Sequence, residues 1–102
     1  MKYTLEEILN QQKNIVIHTK YEKDAILLLK RFHELKLEWC DGVSYLDINN
    51  WKDYQDKTCY QPARGHFSRY DYWENESFEI LEYKDIKHLF FISDIHMTEF
   101  DV

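Results

Sequence analysis

The chemistry open to this chain rests on five histidines, two cysteines and a few arginines set among aromatic rings. Tyr60, Arg64, His66, Arg69 and Tyr70 fall within eleven consecutive residues, Lys57 precedes them, and no acid occurs from 57 to 70. Arginine presents a planar fork of donors that fits a phosphate or carboxylate, and tyrosine a face on which a flat ring stacks. These five residues form the candidate ligand-binding patch, suited to a phosphorylated nucleotide. The competing reading is a solvated hairpin whose rings cover a sheet edge.

Directly after this basic segment the charge reverses. Residues 1–70 hold ten acids against eleven bases, whereas 71–102 hold nine acids against Lys84 and Lys87 alone. Tyr72, Trp73, Glu74, Glu76, Glu79 and Glu82 are the candidate partner-binding set, because carboxylates interleaved with rings can occupy a basic groove on another macromolecule. A solvated strand face plus a loop is the alternative. The net charge of −6 argues against general nucleic-acid binding, which needs many bases to neutralise phosphates.

Catalytic and metal patterns are sparse. The chain has no GxxxxGK[ST], GxGxxG, GxSxG or HExxH, and two glycines cannot build a Gly-rich phosphate cradle. No cofactor is expected. His33, His66, His88 and His96 lack the paired spacing of metal ligands, and Asp94 with His96 would need help from elsewhere. His18, at the end of a strand and just before a helix, could serve as an acid or base, or simply pack beside that helix. Cys40 and Cys59 form no CxxC pair and read as small buried thiols in a reducing cytosol.

These groups need a scaffold. A length of 102 residues with 44% apolar and 31% charged composition implies one folded domain over 1–102. No apolar run approaches a membrane span, and MKYTLEEILN has no signal-peptide core, so the expected location is the cytoplasm. Thr4 and Glu7 make a capping box for a short helix near 4–11, and Ile15–His18 reads as a buried strand. Thr19 and Glu22 make a second box. Behind it Ala25, Leu28, Leu29, Phe32 and Leu35 recur at helical spacing, which predicts a helix over 20–36.

Asp41-Gly42 between Leu37–Cys40 and Val43–Ile48 predicts a hairpin, and Asn50 is placed to cap a short helix over 50–55. Thr58–Gln61 and His66–Tyr70 flank Pro62-Ala63-Arg64-Gly65 as a second hairpin. Residues 71–77 read as a polar connection, and Phe78–Tyr83 as a half-exposed strand with Glu79 and Glu82 outward. The sum is a two-layer α+β domain, one long amphipathic helix packed on a mostly antiparallel sheet. The tail, 88–102, carries Leu89, Phe90, Phe91 and Ile92, which predicts either a last strand or a docking and homodimerisation segment.

The run IVIHTKYEKDAILLLKRFHELKLEWCDG, then TCYQ and FEILEYKDI, resembles small uncharacterised α/β proteins of phages and prophages of low-GC Gram-positive bacteria. The resemblance spans about residues 14–86 through Trp39, Asp41, Gly42, Tyr60, Tyr83, Asp85 and Ile86. It implies a phage accessory protein that binds and disarms host machinery, including defence systems, and it carries over no catalytic residue. Three functions follow as expectations. The first is a non-enzymatic inhibitor of a host protein, acting through the acidic and aromatic stretch. The second is a sponge for a phosphorylated nucleotide at the Arg64/Arg69 hairpin. The third is a small enzyme dependent on His18 or His66.

Overall fold

The computed structural model describes residues 3–10, 13–62 and 64–89. Thr4 and Glu7 close their capping box and start helix α1, Leu5–Ile8. Strand β1 is Ile15–His18, helix α2 Glu22–Glu34, strand β2 Thr58–Gln61 and strand β3 His66–Arg69. Helix α3, Tyr70–Asn75, and strand β4, Glu79–Glu82, follow. The sheet order is β3-β2-β1-β4. β1 with β2 and β2 with β3 are antiparallel, while β1 with β4 is parallel. This is the expected α+β fold with a mostly antiparallel sheet.

Alternation along the strands sorts the side chains into two layers. Ile15 and Ile17 of β1, Tyr60 of β2 and Leu81 of β4 point to the face covered by Ala25, Leu28, Leu29 and Phe32 of α2. Val16 and Cys59 point the other way and are covered by Trp73 of α3, with Tyr70, Phe78 and Ile80 around them. Each large side chain fully removed from water on the α2 face contributes about 1.5–3 kcal/mol. The α2 face therefore dominates stability.

Helix α2 begins later than expected because Thr19 is already committed. Its N–H donates to the Thr58 carbonyl at 3.0 Å and its hydroxyl to the same oxygen at 3.3 Å, extending the sheet. Tyr21 takes the cap position without a side-chain bond. At the other end the Leu37 N–H reaches the Phe32 carbonyl and the Lys36 N–H that of His33. With Lys36 at φ 69°, this is a Schellman stop.

Three expectations fail here for identifiable reasons. Leu37–Cys40 and Val43–Ile48 do not pair as strands. The Asp41-Gly42 turn does form, with Gly42 N–H donating to the Trp39 carbonyl at 2.8 Å and Trp39 N–H to that of Val43 at 3.1 Å. The Cys40 N–H, however, goes to the Gly65 carbonyl at 3.1 Å, and the Trp39 indole donates to the Ile48 carbonyl at 2.8 Å. The segment closes on itself as a loop.

The short helix over 50–55 is two 3-10 turns, Trp51–Asp53 and Gln55–Lys57. Asn49, not Asn50, accepts from the Trp51 N–H, at 2.8 Å. Within 71–77, the connection is helical through Asn75 because Tyr70 and Trp73 stand three apart and dock together on the sheet. The strand expected over 78–83 is confined to Glu79–Glu82, and residues 83–89 are helical, with Tyr83 and Ile86 buried. Phe90, Phe91 and Ile92, with the rest of the proposed docking tail, lie outside the described residues. No helix among those described is long and apolar enough to cross a membrane.

Candidate functional site

The five residues of the ligand patch do not meet. Tyr60 is 1% exposed in the α2-side core, and its hydroxyl donates to the Asn49 carbonyl at 2.7 Å. Burial, then Glu22, Asp53 and Cys59, push its pKa upward. It is a core residue, as its position in β2 beside Ile17 requires. Arg64 and His66 are exposed at the β2–β3 turn, whereas Arg69 is exposed and Tyr70 half-buried beyond the other end of β3. Four strand residues at about 3.3 Å each hold the two pairs about 10 Å apart. The patch is two sites.

At the turn end lies a pocket of about 310 Å³. Trp39 and Phe67 meet edge to face with centroids 5.5 Å apart and form two of its walls, with Val43 and Ile48 beside them and His66, Asp41 and Asn50 also lining it. Gly65 makes this possible. A Cβ there would lie 2.5 Å from the Cys40 nitrogen and 2.6 Å from the Glu38 oxygen, and its φ is +71°. Only glycine lets the turn approach the loop backbone so closely. Cys40, expected to be buried, is exposed and lines the same pocket. Its carbonyl-bonded neighbour is the turn, not the core.

At the opposite end a wider cleft of about 630 Å³ includes His18, Lys20, Lys57, Arg69, Tyr70 and Glu74 in its lining. The parallel register sets His18 beside Glu82. His18 Nδ1 lies 2.7 and 3.0 Å from the two Glu82 carboxylate oxygens, and Nε2 lies 2.6 Å from the Asp56 carbonyl oxygen. The Tyr70 ring meets the imidazole edge to face at 5.1 Å. Both nitrogens thus face acceptors, so the ring ties β1, β4 and the 3-10 turn at Gln55–Lys57 together. Neither nitrogen is left without a partner in this arrangement. Burial, then Glu74, Glu82 and Cys59, raise the pKa of Tyr70. Arg69 pairs with Asp71 at 3.3 Å, an exposed contact that contributes little to stability.

The acidic set is dispersed by the same alternation. Trp73 is 4% exposed and packs on Val16 and Cys59, and its indole nitrogen has no partner among the described residues. Tyr72, at 45% exposure, shares the outer surface of α3 with exposed Asp71 and Glu74, and exposed Glu76 follows at its end. Glu79 belongs elsewhere: it lies by Tyr3, whose pKa is raised by burial and then by Glu79. Glu82, expected outward, is engaged with His18. The expected six-residue surface is reduced to Tyr72, Glu74 and Glu76, joined by Asp71.

Sequence reasoning missed Trp39, Phe67 and Asn50 as pocket walls and Glu82 as the partner of His18. Only the resemblance carried by Trp39 and Gly42 pointed to the first of these, and nothing local announces a parallel pairing 64 residues apart. Among the described residues no group of three His, Cys, Asp or Glu could hold a metal. Cys59 is buried, and burial followed by Glu82 pushes its thiol upward, which makes it unreactive. No family model, curated protein or solved structure matches the chain, so the sites are read from their own geometry.

Proposed function

We propose that this chain is a non-enzymatic binding protein, of the phage accessory kind, that engages a basic surface of a host protein in the host cytoplasm. The observation that carries the reading is the outer face of α3. Tyr72 stands 45% exposed among Asp71, Glu74 and Glu76, on a helix anchored by the buried Trp73 directly beside it. A rigidly mounted ring amid charges has the anatomy of an interface anchor, with the carboxylates steering a basic partner into place. The engaged state of His18 favours binding over acid–base catalysis. A host defence protein would be one such partner.

The test is co-purification from an expressing bacterial host, followed by the triple variant Tyr72→Ala, Glu74→Lys, Glu76→Lys. All three side chains are exposed, so thermal stability stays near that of the wild type. Loss of the anchor alone weakens the complex by about thirtyfold, or ~2 kcal/mol, and reversal of the charges removes it. A partner retained by the folded triple variant overturns the reading.

A further inference from the structure

The α3 surface leaves the aromatic pocket at the β2–β3 turn without a role. Its walls are the Trp39 and Phe67 rings, 68° apart, and the aliphatic Val43 and Ile48. The Trp39 ring is locked, because its nitrogen donates to the Ile48 carbonyl across the loop. Polar groups line the same space. One oxygen of Asp41 accepts the Val43 N–H at 3.1 Å, which fixes that carboxylate. Asn50 is held at φ 59° without a side-chain capping bond, a left-handed conformation that asparagine tolerates. On the turn side stand the His66 imidazole and, two residues before it, exposed Arg64.

Apolar walls with a few convergent polar groups are the signature of a small-molecule site, and about 310 Å³ is the small end of the usual range, about 300–1,000 Å³. Two rings and two branched side chains suit a flat ring. A carboxylate and an amide suit the N–H and C=O edge of a heterocycle rather than plain hydrocarbon. On the turn side, the hydrogen-bonding His66 imidazole lines the pocket, and the Arg64 guanidinium two residues before it suits a negative substituent projecting from the mouth.

We infer that this pocket binds a flat heteroaromatic ring carrying an anionic group, of the size of a nucleoside monophosphate. The ring lies against Trp39 and Phe67 with its polar edge toward Asp41 and Asn50. The anionic group leans on the turn. This site shares no residue with the α3 face, so either reading can fail alone.

The experiment titrates the full chain with the four ribonucleoside monophosphates, with adenosine as ring without anion and ribose 5-phosphate as anion without ring. Heat of binding is one readout. Alkylation of Cys40 is the second, because Cys40 lines the pocket and Cys59, the other cysteine, is buried. At least one monophosphate binds below about 1 mM and slows Cys40 alkylation, while ribose 5-phosphate does neither. Arg64→Glu with His66→Ala weakens the monophosphate about tenfold or more without moving adenosine. Ile48→Trp, a filling change at a 49% exposed position, abolishes both while circular dichroism stays native. No binding by any monophosphate to the folded wild type, or binding that Ile48→Trp leaves intact, overturns the inference. Affinity for monophosphate no better than for its nucleoside removes the anionic half.

Discussion

The two faces of the sheet are built on different plans. The α2 face buries Ile15, Ile17, Tyr60, Phe32, Trp39 and Tyr45 beneath a 13-residue helix and a folded loop. The α3 face buries Val16, Cys59 and Trp73 beneath six helical residues and leaves the His18–Glu82 pair at its margin. One face has rings whose polar atoms are bonded, such as Tyr60 to Asn49 and Trp39 to Ile48. The other carries a buried indole with no partner among the described residues. The thick face holds the chain folded, which frees the thin face to display charge and an exposed ring.

The largest test of this contrast concerns the loop that completes the thick face. Gly65→Ala drives a methyl group into backbone atoms of Glu38, Trp39 and Cys40 and demands a left-handed φ, so it costs about 3 kcal/mol or more. Chemical denaturation measures it. Gly42→Ala, with nothing within 4 Å of its Cβ, costs only the conformational strain, about 1–2 kcal/mol. Equal costs would show that the loop is an appendage rather than part of the core.

Two tryptophans sharpen the comparison further. Trp39→Phe leaves the Ile48 carbonyl without its donor and shrinks a ring packed against Tyr45, Tyr60 and Phe67, for a loss of about 2 kcal/mol. Trp73→Phe removes a buried N–H that has no partner among the described residues. The relief offsets the smaller ring, and the net change stays below about 1 kcal/mol. If denaturation midpoints rank the two variants the other way, the thin face bears more of the stability than its packing implies.

Most of what places the thick face could be read from local pattern. The β-branched run at Ile15–Ile17 and the stripe Ala25, Leu28, Leu29, Phe32 fixed a strand and a helix, and Pro62 to Gly65 marked the β2–β3 turn. Each signal lives within a few residues and matches one period. What escaped reading depends on partners distant in sequence. Asp41-Gly42 made its turn, but the competing bond to Gly65 decided that no ladder followed. DYWENES looked polar by content, while its spacing from Tyr70 to Trp73 was helical. Of the residues lining the turn-end pocket, His66 is a candidate from the sequence, whereas the walls Trp39 and Phe67 are not. Pocket walls come from folding a loop onto a turn, which no window of sequence contains.

The last test is alkaline. Burial raises the pKa of Tyr45, Tyr60 and Tyr83 on the thick face above the ordinary 10.0, and that of Cys59 on the thin face above 9.0. The folded chain keeps protons that the unfolded chain gives up. Their stabilisation is therefore complete below about pH 9 and declines as pH climbs above it, by up to about 1.4 kcal/mol per pH unit for each group. Tyr60→Phe flattens this decline by one group's share, at a constant cost of about 1 kcal/mol for the lost Asn49 bond. An unchanged slope in a pH series of melts would place Tyr60 in contact with solvent.

The parallel pairing of β1 with β4 bears on the order in which the molecule is made. Ile15 through His18 occupy the middle of the sheet, yet one of their two neighbours is Glu79 through Glu82, synthesised more than sixty residues later. While the chain grows, β1 waits with an unpaired edge, and Val16 has no opposing layer until Trp73 arrives. The β2–β3 hairpin spans few residues and can close on its own, but the central strand is sealed last. Contacts so distant along the chain slow the search for them. A chain ending before residue 79 would hold a half-sheet, with the hydrophobic edge of its central strand left open.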